Sequence, residues 1–138
     1  PVYPAGTRID PQLGVGASTR LERLATFSTM SLDQGGGTRI IRAVAPGENI
    51  VSTLPGGRYG MWTGTSMSAP IAAGIAALVK AQSPALDPHM IVDRLVETGV
   101  LWDCNHPTRG PIRTNRVDAF CSLTNNQACG INASACSQ

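Results

Sequence analysis

The chain has 138 residues, enough for one domain with a buried core, and its hydrophobic fraction of 42% lies a little below the globular average. Only 14% of residues are charged, the formal net charge is +2, and the basic residues are scattered rather than gathered, which argues against nucleic acid as a partner. No apolar run reaches the roughly 18 to 20 residues that span a bilayer, so no membrane partner is expected either. The opening Pro-Val-Tyr-Pro lacks a charged-then-apolar leader, and a first residue that is not methionine raises the expectation that an upstream segment was removed.

In chain order, the alternation from Leu13 to Ala17 predicts a short buried strand, with glycines allowing close backbone approach. A second strand is predicted over Arg39 to Val44, after the run Gly35 to Gly37, and Ala45-Pro46-Gly47 turns the chain. A third covers Ile50 to Thr53 and ends at the turn Leu54-Pro55-Gly56-Gly57. From Ser66 to Gln82 the residues are apolar on every face, which describes a buried helix. Its many alanines let neighbouring backbone come close, and Pro70 is expected in the first turn, where amide groups lack intrahelical acceptors. A further helix is announced by Asp87 as N-cap, Pro88 at the first helical position and Gly99 as the stop. A final short helix opens at Asn115 or Arg116 and runs through Val117, Ala119 and Phe120. The expected division is therefore a domain over 1–123 and a polar surface tail over 124–138.

Cys104, Cys121, Cys129 and Cys136 all lie in the last third, and none forms Cys-x-x-Cys. That spacing favours disulfides and an oxidising, secreted setting over a metal site, and three pairings are open. Closure of short loops favours Cys104 with Cys121 and Cys129 with Cys136. Asn132-Ala133-Ser134 fits the glycosylation tripeptide, a triplet that also arises often by chance.

The stretch Gly64-Thr65-Ser66-Met67-Ser68-Ala69-Pro70 carries the chemistry. A serine at the start of a buried helix would project its hydroxyl from a glycine-bounded turn. Its own N–H and the positive end of the helix dipole would face negative charge forming on a nearby carbonyl oxygen. The same residues equally suit an N-capping serine with ordinary helix punctuation.

The longer run GTSMSAPIAAGIAALV closely resembles the nucleophile segment of the subtilisin-like serine proteases. The likeness continues upstream in LGVGAS, ATFST and VAPGENIVSTLPGGRYGMWTGTS, and downstream in SPALDPHMIVDRLVETG and RTNRVDAF, covering about Tyr3 to Phe120. Thr29, where the family often has asparagine, and Ile71, where it often has histidine, depart from the pattern without touching the mechanism. The resemblance implies an α/β fold: the C-terminal half of a three-layer, doubly wound parallel sheet, with a buried central helix starting at the nucleophile. It implies a serine endopeptidase in which Ser66 forms an acyl-enzyme with a peptide or protein substrate and its backbone N–H is an oxyanion donor. Thr65 would assist that hole through its hydroxyl. Trp62 and Thr63 would border the leaving-group side of the cleft, Val2 and Tyr3 would lie near the pocket for the side chain preceding the scissile bond, and Met67 would be a site of oxidative inactivation.

The family's aspartate, histidine and oxyanion asparagine all precede its serine, so the resemblance places them upstream of Pro1, in a partner segment. His89 lies in a helix start and His106 follows Cys104; neither has the neighbours of the family's histidine, and Asp10, Asp33 and Asp103 match no family aspartate. Calcium is implied as a possible cofactor by resemblance alone, with no carboxylate constellation and no metal ligand assigned here. The isolated chain is expected to be inert, with one flank of the helix uncovered. The competing function class is a non-catalytic remnant or binding module that kept the scaffold.

Overall fold

The computed structural model describes residues 10–28, 41–106 and 110–127. Its elements are β1 (Gly14–Ser18), β2 (Ile41–Pro46), β3 (Ile50–Leu54), β4 (Arg58–Trp62), α1 (Thr65–Gln82), α2 (Pro88–Glu97), β5 (Val100–His106), β6 (Gly110–Arg116) and α3 (Ala119–Thr124). Four strands form one sheet in the order β1-β2-β6-β5, and β3 with β4 forms a separate hairpin. β1, β2 and β6 run parallel, whereas β5 pairs antiparallel with β6 along its whole length, from Val100 opposite Arg116 to His106 opposite Gly110. The sheet is thus mixed at one end rather than parallel throughout.

Side chains alternate across the sheet as the strand period requires. Ala43 and Ala45 of β2 join Ala72, Ile75 and Val79 of α1, Leu95 of α2 and Val117 in one core cluster. Val44 faces the other way, into a second cluster with Leu24, Trp102 and Ile112. The alanines on β2 are fully buried, and their small size lets α1 lie close over the sheet.

The helix ends follow local chemistry. The Asp87 carboxylate accepts the Met90 N–H at 2.9 Å, and Pro88 supplies a preset first position. Asp118 does the same for α3, accepting the Cys121 N–H at 2.9 Å, and Asn125 closes that helix in the left-handed region at φ 52°. Lys80, in the last turn of α1, donates to the carbonyls of Pro84 (2.8 Å) and Leu86 (2.7 Å) and so shapes the link to α2. Where α2 gives way to β5, the backbone passes close to β6. A Cβ on Gly99 would stand 2.7 Å from the Arg116 carbonyl oxygen, so only glycine fits.

The chain departs from the sequence expectations in several further places. β2 runs on through Pro46, so Ala45 and Pro46 are strand rather than turn, and Arg39 and Ile40 lie outside the described residues. β4, β5 and β6 were not expected. Asn115 and Arg116 end β6 instead of opening a helix, which starts only after Asp118 caps it. Pro70 falls beyond the first turn because the helix begins at Thr65, so it has no N–H to give to the Ser66 carbonyl four residues back. Finally, α1 is not enclosed. Ser68, Ala72, Ile75 and Val79 are buried, whereas Ala69, Pro70, Ala73, Gly74, Ala77 and Leu78 are exposed, Leu78 to 54%. An apolar flank of one turn after another thus lacks cover among the described residues. α3 reaches Thr124, one residue into the expected tail, most of which is outside the described residues.

Candidate active site

The site is built where parallel strands end and a helix begins, the crevice in which open α/β sheets place their ligands. β1 and β2 finish together, with Ser18 opposite Pro46. Gly47 follows directly. Its N–H donates to the Ser18 carbonyl at 3.0 Å, and its own carbonyl accepts the Gly64 N–H at 2.7 Å. The β3–β4 hairpin carries the chain out and back between Gly47 and Gly64, and α1 then starts at Thr65. One short relay of backbone bonds therefore pins the first turn of α1 to the carboxyl end of the sheet.

Ser66 is the second residue of that helix and is exposed. The N-cap is Gly64, with no side-chain cap bond, and the Met67 N–H closes onto the Gly64 carbonyl at 3.0 Å. Ser66 is therefore not a capping serine. Among the described residues neither its hydroxyl nor its N–H has a hydrogen-bond partner. At the second helical position the N–H has no intrahelical acceptor, and it sits at the positive end of an 18-residue helix. A hydroxyl and an unpaired N–H on one exposed residue, in the field of a helix N-terminus, form one side of an acyl-transfer site.

The other expected site residues fall as follows. Thr65 opens α1 beside Ser66 and is half-buried. Trp62 ends β4 and is 53% exposed. The Thr63 hydroxyl is engaged as the acceptor of the Asn49 N–H at 3.0 Å, which ties the hairpin exit to its entry. Met67 adjoins the serine in the first turn and is half-buried. Val2, Tyr3, Cys129 and Cys136 lie outside the described residues, as do Thr29 and Asp33; Cys104 is placed in β5 through its backbone. Cys121, on α3, is buried and disulfide-bonded. Two residues at the site were not singled out from sequence: Gly47 and Ser68, the latter fully buried with its hydroxyl unpaired.

His89 cannot serve Ser66. It sits at the start of α2, beyond the far end of α1, about 24 Å along the helix axis at 1.5 Å per residue. There its Nδ1 lies 3.5 Å from the Asp10 carboxylate, both side chains being largely exposed. His106 is at the end of β5, on the outer strand of the sheet order. Among the described residues no group of three or more acidic, histidine or cysteine side chains could hold a metal ion.

The model of the peptidase S8 group, the Subtilase family, matches residues 3–130. The chain belongs to the subtilase family. A subtilisin-like protease of Coccidioides posadasii is 42% identical over 103 residues, which is 75% of this chain and 23% of that protein. The subtilisin of Bacillus pumilus is 38% identical over 96 residues, covering 70% of this chain and 32% of its own. Among solved structures, MycP1 from Mycobacterium smegmatis superposes with a TM-score of 0.67 at 28% identity, over 89% of this chain and 32% of that one. The fold is accordingly a subtilisin-like α/β arrangement, and the chain spans between about a quarter and a third of the length of these relatives.

Proposed function

We propose that this chain is the nucleophile-bearing part of a serine endopeptidase. Ser66 attacks a peptide carbonyl, its Oγ forms the acyl bond as the amine leaves, and water then hydrolyses the ester. The Ser66 N–H donates to the oxyanion, with Thr65 beside it. The aspartate, the histidine that takes the Ser66 proton, and the oxyanion asparagine come from an upstream segment, in the same longer chain or a separate one. Trp62 and Thr63 border the leaving-group side, and Val2 and Tyr3 the pocket before the scissile bond. The observation that carries this reading is the state of Ser66: exposed at the second position of α1, with hydroxyl and N–H both without a partner among the described residues while Gly64 occupies the cap. Two further facts support an upstream partner, namely the apolar flank of α1 that lacks cover among the described residues and the greater length of the relatives.

The bonded state of Cys121 supports an oxidising, extracellular location. The pairing of Cys104 with Cys121 and Cys129 with Cys136 is proposed because each closes a short loop. Calcium is proposed as a cofactor on the family likeness alone, with no ligands assigned.

Peptide hydrolysis tests the reading. The chain joined to its upstream segment should cleave a peptide substrate, and the isolated chain and the Ser66→Ala variant should both be inactive. A Ser66→Ala variant that keeps full activity removes the nucleophile assignment. An inactive joined protein favours a non-catalytic scaffold.

A further inference from the structure

The turn carrying Ser66 is held from outside its own helix. Within α1 the Ser66 N–H has no acceptor, and Pro70 offers no N–H to the Ser66 carbonyl. The ties come instead from the loop of Gly47, Glu48 and Asn49. Gly47 links the Ser18 carbonyl to the Gly64 N–H, as described above. Asn49 donates its N–H to the Thr63 hydroxyl at 3.0 Å, and the Glu48 carboxylate accepts the Arg20 N–H at 3.2 Å. Each residue of the loop thus makes a bond either to the segment from Ser18 to Arg20, where β1 ends and turns, or to the turn that leads into α1, and Gly47 makes both.

The space at Gly47 is closed on three sides. A Cβ there would stand 2.3 Å from the Ser68 Oγ, 2.7 Å from the Ala17 Cβ and 2.9 Å from the Gly64 carbonyl oxygen. Ala17 is fully buried in β1, paired along β2, and has no room to retreat. Ser68 is also fully buried, and among the described residues its hydroxyl has no hydrogen-bond partner to hold it in place. What must yield to a side chain at position 47 is therefore the helix side. Both groups on that side lie within two residues of Ser66.

We propose that Gly47 is a positioning residue for the nucleophile. Its missing side chain lets the Gly64 carbonyl and the first turn of α1 rest directly on the end of β1, which fixes the point from which the Ser66 hydroxyl projects. A methyl group at 47 wedges that turn away from the sheet and moves Ser66 relative to the upstream base and oxyanion donor. The inference rests on Ser66 as the nucleophile.

The test uses the full protein, with its upstream segment, carrying Gly47→Ala. A displacement of about 1 Å lowers kcat roughly 10²-fold, with KM within about threefold and the acid limb of the kcat profile unmoved, because neither substrate contacts nor the base are altered. A crystal structure of the variant should show the Ser66 Cα shifted by more than about 0.5 Å against β1, the tolerance of a productive catalytic geometry. Adding Ser68→Ala removes the nearest clash and should restore kcat at least about threefold. An unshifted Ser66, or a kcat within about threefold of the parent, overturns the proposal. Should Gly47→Ala fail to fold, the double variant is crystallised in its place: the 2.9 Å approach to the Gly64 carbonyl oxygen remains, so Ser66 should still be displaced, and an unshifted Ser66 overturns the proposal. If the parent protein hydrolyses no peptide, or Ser66→Ala still does, the nucleophile reading fails, and the Ser66 displacement in the crystal still decides the positioning claim.

Discussion

Leu78 offers a direct measure of whether α1 is covered by something outside the described residues. Its side chain projects from the unburied flank of the helix and is 54% exposed, whereas Leu95 of α2 is at 0%. Fully burying a leucine is worth about 1.5–3 kcal/mol, and roughly half of Leu78 is already covered. Leu78→Ala in the isolated chain therefore costs about 1 kcal/mol, reduced by a few tenths because alanine is the better helix former. With an upstream segment packed over the flank, the same substitution also forfeits the other half and leaves a cavity. The cost then rises to about 3 kcal/mol, within the range for large-to-small core changes. Leu95→Ala should cost about 3 kcal/mol in both forms and serves as the control. Urea unfolding of the isolated chain and of the joined protein gives all four values. Equal costs near 1 kcal/mol for Leu78→Ala in the two forms would refute the view that an upstream segment covers this flank.

Other outcomes follow from the same geometry. Asp87→Ala removes the carboxylate that accepts the Met90 N–H and should lower stability by about 1 kcal/mol in thermal or urea unfolding, while Asp87→Ser should recover most of it. The Arg42–Asp93 ion pair closes at 2.8 Å, but both side chains are partly exposed, so Asp93→Asn should change stability by no more than about 1 kcal/mol, with the difference fading in high salt. Peroxide treatment of the active protein should convert Met67 to its sulfoxide and depress peptide hydrolysis. Met67→Ala should keep its activity under the same treatment. Non-reducing peptide mapping should find Cys104 joined to Cys121, and breaking that link should cost about 3 kcal/mol in the chain-entropy model.

The sequence announced elements whose chemistry is local. α2 was legible from Asp87 and Pro88 because a capping carboxylate and a preset first residue act within a few residues, whereas its C-cap is Thr98, and Gly99 is required by the close passage to β6 rather than as a left-handed stop. The start of α1 was legible to within one residue for the same reason. β5 and β6 were not, because the alternation in VLWDCNH is confined to Trp102-Asp103-Cys104-Asn105 and GPIRTNR has a single large apolar side chain, Ile112. They are strands by virtue of their partners: β6 lies between β2 and β5, and the fully buried Trp102 on β5 completes the second cluster across the sheet. The missed sign for α3 was Asp118, a capping residue set just before Ala-Phe-Cys-Ser-Leu.

At the site, Ser66 could be named from sequence, but its role as cap or nucleophile could not be decided from Gly64, Ser66 and Pro70 alone. The backbone decides the capping question, since Gly64 takes the cap and Ser66 makes no capping bond. Gly47 was visible only as part of a turn. Its importance is a matter of tertiary distance, the approach of Ala17, Gly64 and Ser68 around a position with no side chain. Composition likewise made α1 a helix apolar on all sides, and only the packing revealed which side is left open.

The most direct test of the central claim is reaction with a serine-directed phosphonyl fluoride, read by intact mass and peptide mapping. The joined protein should gain a single adduct on Ser66, with no adduct in Ser66→Ala or in the isolated chain. A joined and folded protein that stays unlabelled, or that carries the adduct on another serine, would contradict it.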